Sequence, residues 1–187
     1  MKWLRWGGYA LLALIALSIP TYWWLFVESH RARAASYAID VAELRRLADS
    51  QAGEAALKLP SNIFDGYRPL DYVRYQAVAP GVVLVKAPGH TPGSQMVYVR
   101  RADKVEFLLV GDIAWQMRNI ETGREKARWV TVLTGEDRNA VREELAGLSQ
   151  LHTATPELHM IPGHDAAVID ALLKSGLLVK GFEGPPE

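Results

Sequence analysis

Gly89-His90-Thr91-Pro92-Gly93, Leu109-Val110-Gly111-Asp112 and Ile161-Pro162-Gly163-His164 share one pattern, and that pattern decides how the chain is read. Each places glycine next to one side chain able to hold a metal, just after an apolar, strand-like run. Glycine and proline fix the backbone, so a loop can aim a single imidazole or carboxylate without help from a helix. Taken singly, each stretch reads as an ordinary turn. His90 is then an exposed residue in a rigid loop, Asp112 a turn former or cap, and His164 a polar surface residue before a helix. Taken together, three repeats of strand, glycine and ligand point to one site. Two imidazoles and a carboxylate are donors that hold zinc or iron with a coordination position left open.

Outward from these stretches, short apolar runs bounded by glycine and proline mark further strands. They run from Val82 to Lys86, Met96 to Arg100, Val105 to Val110 and Leu158 to Ile161. Arg101-Ala102-Asp103-Lys104 is the hairpin turn between the second and the third. Asp40 and Glu43 have the spacing of a capping box, and Val41, Leu44 and Leu47 then predict a helix from about Val41 to Ser50. Val141, Leu145, Leu148 and Leu151 predict a longer helix, with Thr134 as its N-cap. Asp165 opens a last helix reaching Ser175, with Val168, Ile169, Leu172 and Leu173 inward and Gly176 as its stop. Trp129 to Leu133 fits either a strand or a helix start. Gly53 to Tyr75 reads as mostly loop. Strands followed by helices, without strict alternation, make an α/β (α+β) layer fold.

The amino-terminal segment follows different rules. Lys2 and Arg5 precede an uncharged run from Trp6 to Val27, closed by Glu28. As a helix that run spans about 33 Å, enough to cross a hydrocarbon core of roughly 30 Å. Trp3, Trp6, Tyr22, Trp23 and Trp24 sit near its ends, as interfacial aromatics do. A cleavable secretory signal with Ala32-Arg33-Ala34 as its site is the competing reading, and the length of the run favours an anchor. The expected organisation is an anchor over 1–28, a linker over 29–36 and one domain over 37–187. The short basic tail favours a single-pass anchor with the domain on the exported side.

Across its 187 residues the chain is 49% apolar, 22% charged and formally neutral. That composition fits a globular domain and offers no basic field for nucleic acid. The absence of cysteine excludes disulfides and thiolate metal sites. No Gly-x-Ser-x-Gly elbow and no phosphate-binding loop is present. Trp115, Met117 and Trp129 are candidates for lining a substrate pocket near Asp112, with core packing as the alternative.

The stretch Ala87-Pro88-Gly89-His90-Thr91-Pro92-Gly93-Ser94, the Leu-Leu-Val-Gly-Asp ending at Asp112, and Pro162-Gly163-His164-Asp165 together resemble the metallo-β-lactamase superfamily. Within it they are most similar to the lactonase and glyoxalase II-like hydrolases. The resemblance covers roughly 80–175. It implies an αββα sandwich and zinc ligation by His90, Asp112 and His164, with Asp112 as the bridging, catalytic carboxylate. It also implies metal-activated water attacking an ester, lactone or thioester. The family's His-x-His-x-Asp-His loop has no counterpart here. The other histidines are His30, His152 and His159, and none lies between Ala35 and Val78. Ser94 stands where a second His often follows the Gly-His-Thr-Pro-Gly loop.

The chain thus reads as the second half of a metal site, on a partial or degenerate sandwich. One zinc, or iron, held by His90, Asp112 and His164 is chemically reasonable. His159 is a further candidate ligand, and Asp65 or Asp71 a further carboxylate. The expected function is a membrane-anchored hydrolase with a reduced site. The alternative is a non-catalytic or truncated relative acting as a binding or scaffold module. Expected partners are a small ester or lactone, the lipid bilayer and, through an unpaired sheet edge, a second copy of the chain.

Overall fold

The computed structural model describes residues 37–50 and 70–181. The span read as an anchor, the linker, His30, Asp65 and most of the segment read as loop before Tyr75 lie outside the described residues. Among the described residues no helix is long and apolar enough to cross a membrane.

Five strands form one sheet in sequential order: β1 (Tyr75–Ala79), β2 (Val82–Lys86), β3 (Gln95–Arg100), β4 (Glu106–Gly111) and β5 (His159–Pro162). The first four pair antiparallel, and β5 joins β4 in parallel. The parallel step needs a crossover, supplied by α2 (Met117–Thr122), α3 (Arg128–Thr134) and α4 (Arg138–Ala154). A helix α1 (Val41–Ala48) precedes the sheet and α5 (Ala166–Lys174) follows it.

Alternation sorts the strands into two faces. One row, Ala77, Val83, Tyr98, Leu108 and Met160, crosses all five strands in register. Its members are buried, and Val83, Tyr98, Leu108 and Met160 share one core with Val85, Met96, Val110, Leu44 of α1, Ile120 of α2 and Val141, Leu145 and Leu148 of α4. The opposite face carries a second apolar row, Leu84, Val97, Leu109 and Ile161, where Leu109 stays 41% exposed. Where the resemblance implies an αββα sandwich of two sheets, the described residues form one mixed sheet, with α1, α2 and α4 packed on one of its faces. Leu108 has no exposed surface and sits mid-row. Leu108→Ala is expected to lower stability by about 3 kcal/mol, as a core cavity does. A urea midpoint unchanged from the wild type would contradict this packing.

A buried carboxylate ties the first helix to the sheet. Arg45 of α1 donates from Nε and Nη2 to the two oxygens of Glu106, each at 2.7 Å, and Tyr98 Oη donates to Glu106 at 2.8 Å. The Arg45 guanidinium holds the Glu106 carboxyl below the usual carboxylate range.

Several expectations meet a different structure. Thr134 ends α3, where its hydroxyl donates to Val130 O, and Asp137 caps α4 by accepting from Asn139 N and Ala140 N. Asp40 caps α1, but the capping box is not closed: Tyr75 Oη accepts from Asp40 N, while Glu43 pairs with Arg46. A tertiary partner thus took Asp40 N, and a neighbour on the same helix took Glu43. On α5 only Leu172 is buried, and Ile169 is 39% exposed. The segment from Trp129 to Leu133 is helical, and β1 and α2 have no strong pattern in the sequence.

Candidate metal centre

The three predicted side chains meet at the end of β4 and β5. Gly111 closes β4 with φ of +58°, a conformation glycine adopts without strain, and the turn it makes presents Asp112. Parallel pairing brings Pro162 beside Gly111. Gly163 N then donates to Gly111 O at 3.0 Å and to Ala114 O at 3.2 Å, and His164 N to Trp115 O at 3.1 Å. These bonds place His164 against the Asp112 turn. The His90 loop arrives from β2, closed by Ala87 N to Ser94 O at 3.1 Å and by the Thr91 and Ser94 hydroxyls, 2.7 Å apart.

His164 Nε2 lies 3.0 Å from Asp112 Oδ1, and His90 Nε2 lies 3.4 Å from Asp112 Oδ2. Donors bonded at 2.0–2.1 Å to one tetrahedral ion stand about 3.3 Å apart, close to both distances. His164 and Asp112 are partly exposed, at 59% and 39%, so the carboxylate is open to small molecules. As the side chains stand, however, each imidazole faces a different oxygen, and no group of three His, Asp or Glu among the described residues is arranged to hold an ion.

Behind His90 lies a network that the sequence did not disclose. His90 Nδ1 is 2.6 Å from Glu136 Oε1, a carboxylate with no exposed side-chain surface. Lys126 Nζ pairs with the same oxygen and donates to Asp112 O at 2.6 Å. A carboxylate on Nδ1 keeps the proton there and leaves the Nε2 lone pair facing Asp112, the support that metal-ligating histidines ordinarily have. Lys126 Nζ also lies 5.3 Å from the centre of the Trp115 ring, which packs on His164 at 5.1 Å between centroids. The sequence does not mark Glu136 and Lys126 as partners of His90 and Asp112, because these lie 46 and 14 residues away. The one local signal was Gly135-Glu136 just before the Asp137 cap.

A second buried carboxylate braces the loop from below. Glu144 of α4 accepts from Gly89 N at 2.9 Å. Burial, reinforced by Asp137, Glu143 and Glu136, pushes its carboxyl up to about 7, against the opposing Gly89 hydrogen bond. Unfolded, it titrates near 4.5. Between those values the folded chain binds more proton than the unfolded one, so this group's contribution to stability falls as pH rises through that window. Glu144→Gln keeps the acceptor and is expected to flatten that slope. Urea midpoints at about pH 5 and about pH 7.5 test it: an equal pH slope in wild type and variant would contradict the assignment.

The remaining predicted residues fall in two places. Trp115 and Trp129 line a cavity of about 530 Å³ together with His164, while Met117 packs against the core. His159 sits at the opposite end of β5, its ring tilted against Phe107 at 5.5 Å between centroids, and lines a different cavity with Arg45 and Glu106. Asp71 is exposed before β1.

No family model and no curated protein matches the chain. Among solved structures it is similar to an N-acyl homoserine lactone hydrolase with the product N-hexanoyl-L-homoserine bound at its catalytic metal centre. Identity is 22% and the TM-score 0.40, over 52% of this chain and 36% of that one. The same values hold for a B. thuringiensis AiiA mutant with N-decanoyl-L-homoserine at the active site. A quorum-quenching N-acyl homoserine lactone lactonase is 23% identical, with a TM-score of 0.39 over 50% of this chain and 36% of that one. These lactonases belong to the metallo-β-lactamase superfamily, the family that the motif set resembles. The chain spans about a third of the length of the structures it matches.

Proposed function

We propose that the chain is a metal-dependent hydrolase of small esters, lactones or thioesters, working with one metal held by His90, Asp112 and His164. The observation that supports this reading is the meeting of two imidazoles, His90 and His164, at the one Asp112 carboxylate, with Glu136 on the far nitrogen of His90. Two imidazoles and a carboxylate suit zinc and leave a position for water. A zinc ion so held supplies Lewis acidity, which polarises a carbonyl and makes water acidic near neutral pH.

The chain's own residues do the rest. Glu136 and Lys126 hold His90 in the ligating tautomer. Asp112 offers its carboxylate to both imidazoles, and Trp115 orients the His164 ring and forms one wall of the adjoining cavity. Anchoring to a bilayer through the 6–27 run is part of the same proposal and would keep the enzyme at a membrane surface.

The experiment is turnover by the purified full chain of 4-nitrophenyl esters and N-hexanoyl homoserine lactone, with zinc and after chelation. Hydrolysis that chelator abolishes and zinc restores supports the reading; no hydrolysis in the presence of zinc overturns it. That result would favour a second reading, a non-catalytic module in which the Asp112–imidazole contacts are structural. The observation behind that reading is the lack of a ready three-ligand group among the described residues.

A further inference from the structure

Beside the three converging side chains lies the cavity of about 530 Å³ whose wall includes Trp115, Arg118, Arg124, Glu125, Lys126 and His164. The charges of this wall do not cancel. Glu125 has no exposed side-chain surface, and its Oε1 is held by Arg138 and by Arg142, the latter at 3.2 Å. Lys126 is consumed by Glu136. Arg118 and Arg124 are exposed, and among the described residues neither guanidinium has an ion-pair or hydrogen-bond partner. The backbone beneath Arg124 is fixed: its N–H donates to Asn119 O at 3.0 Å and its carbonyl accepts from Asn119 Nδ2 at 2.9 Å. Two guanidiniums lining one cavity with a tryptophan and an imidazole supply the chemistry that suits an oxyanion on an apolar stem.

We infer that this cavity binds the distal oxyanion of the substrate through Arg118 and Arg124, so that the preferred substrates are acyl compounds carrying a negative charge remote from the reacting carbonyl. The inference rests on the hydrolase reading only for naming the reacting end. A neutral acyl chain would leave both guanidiniums without a partner and gain nothing from them.

Calorimetric binding of adipamate, which has a distal carboxylate and an amide in place of the ester, against neutral hexanamide tests it on the full chain in nonionic detergent with zinc present. Adipamate is expected to bind at least tenfold more tightly, with the advantage shrinking at high salt and lost in the Arg118→Ala/Arg124→Ala double variant. Arg118→Lys/Arg124→Lys should recover part of it. Equal affinities, no binding of either probe, or an advantage that survives the double variant would overturn the inference. The affinity advantage without ester or lactone turnover would leave the anion site standing and the hydrolase reading refuted. Turnover without the advantage would do the reverse.

Discussion

Asp112→Ala is expected to remove tightly bound zinc and to lower ester or lactone turnover by three orders of magnitude or more, while leaving the fold intact. Asp112 is the only one of the three side chains that touches both others, at 3.0 Å to His164 and 3.4 Å to His90. Its loss leaves two imidazoles with no anion between them. Several kcal/mol of transition-state stabilisation comes from a correctly held metal, and each 1.36 kcal/mol is a factor of ten. The fold should survive because Asp112 is 39% exposed and lies at a strand end, outside the core. Asp112→Asn, which keeps the shape and loses the charge, should fall between wild type and alanine. Turnover and metal content that match the wild type in Asp112→Ala would remove Asp112 from any catalytic role.

Gly163→Ala is the second large effect, and it acts without touching a ligand. A Cβ at Gly163 would lie 2.6 Å from Asp112 Oδ1, 3.0 Å from Gly111 O and 3.1 Å from Gly111 C. The Asp112 carboxylate must therefore swing away, and the Gly111 backbone must give by a few tenths of an ångström, which loosens the β4–β5 junction. A shift of about 1 Å at a catalytic centre costs roughly a hundredfold in rate, and loss of support around a ligand costs 10–100-fold in metal affinity. Turnover should therefore fall about a hundredfold, with a smaller loss of stability. A Gly163→Ala protein with wild-type rate and metal affinity would mean that the crowding at this junction is relieved harmlessly.

The convergence of these three side chains was legible in outline because each is marked locally. His90, Asp112 and His164 each follow a strand and a glycine, and strand order alone brings the ends of β4 and β5 together. The strands themselves were legible from the valine and leucine runs between glycines and prolines. What the sequence did not show depends on distant partners. Glu136 and Lys126 look like surface charges until the fold brings His90, 46 residues from Glu136, and the Asp112 carbonyl beside them. Tyr75 to Ala79 is a short run of mixed polarity that pairs only because β2 lies beside it. The closed capping box failed for the same reason, since Tyr75 reached Asp40 first. Apolar residues on α5 were read as inward from periodicity alone, and the sheet leaves three of the four partly or largely exposed.

The central claim is that half of a two-metal site makes a whole one-metal site. Elemental mass spectrometry on the full chain, purified without chelator, tests it most directly. The account predicts about one zinc or iron per chain, reduced to background in His90→Ala and in His164→Ala. Metal at background in a folded wild-type sample, or one ion per chain that persists in both variants, would contradict it.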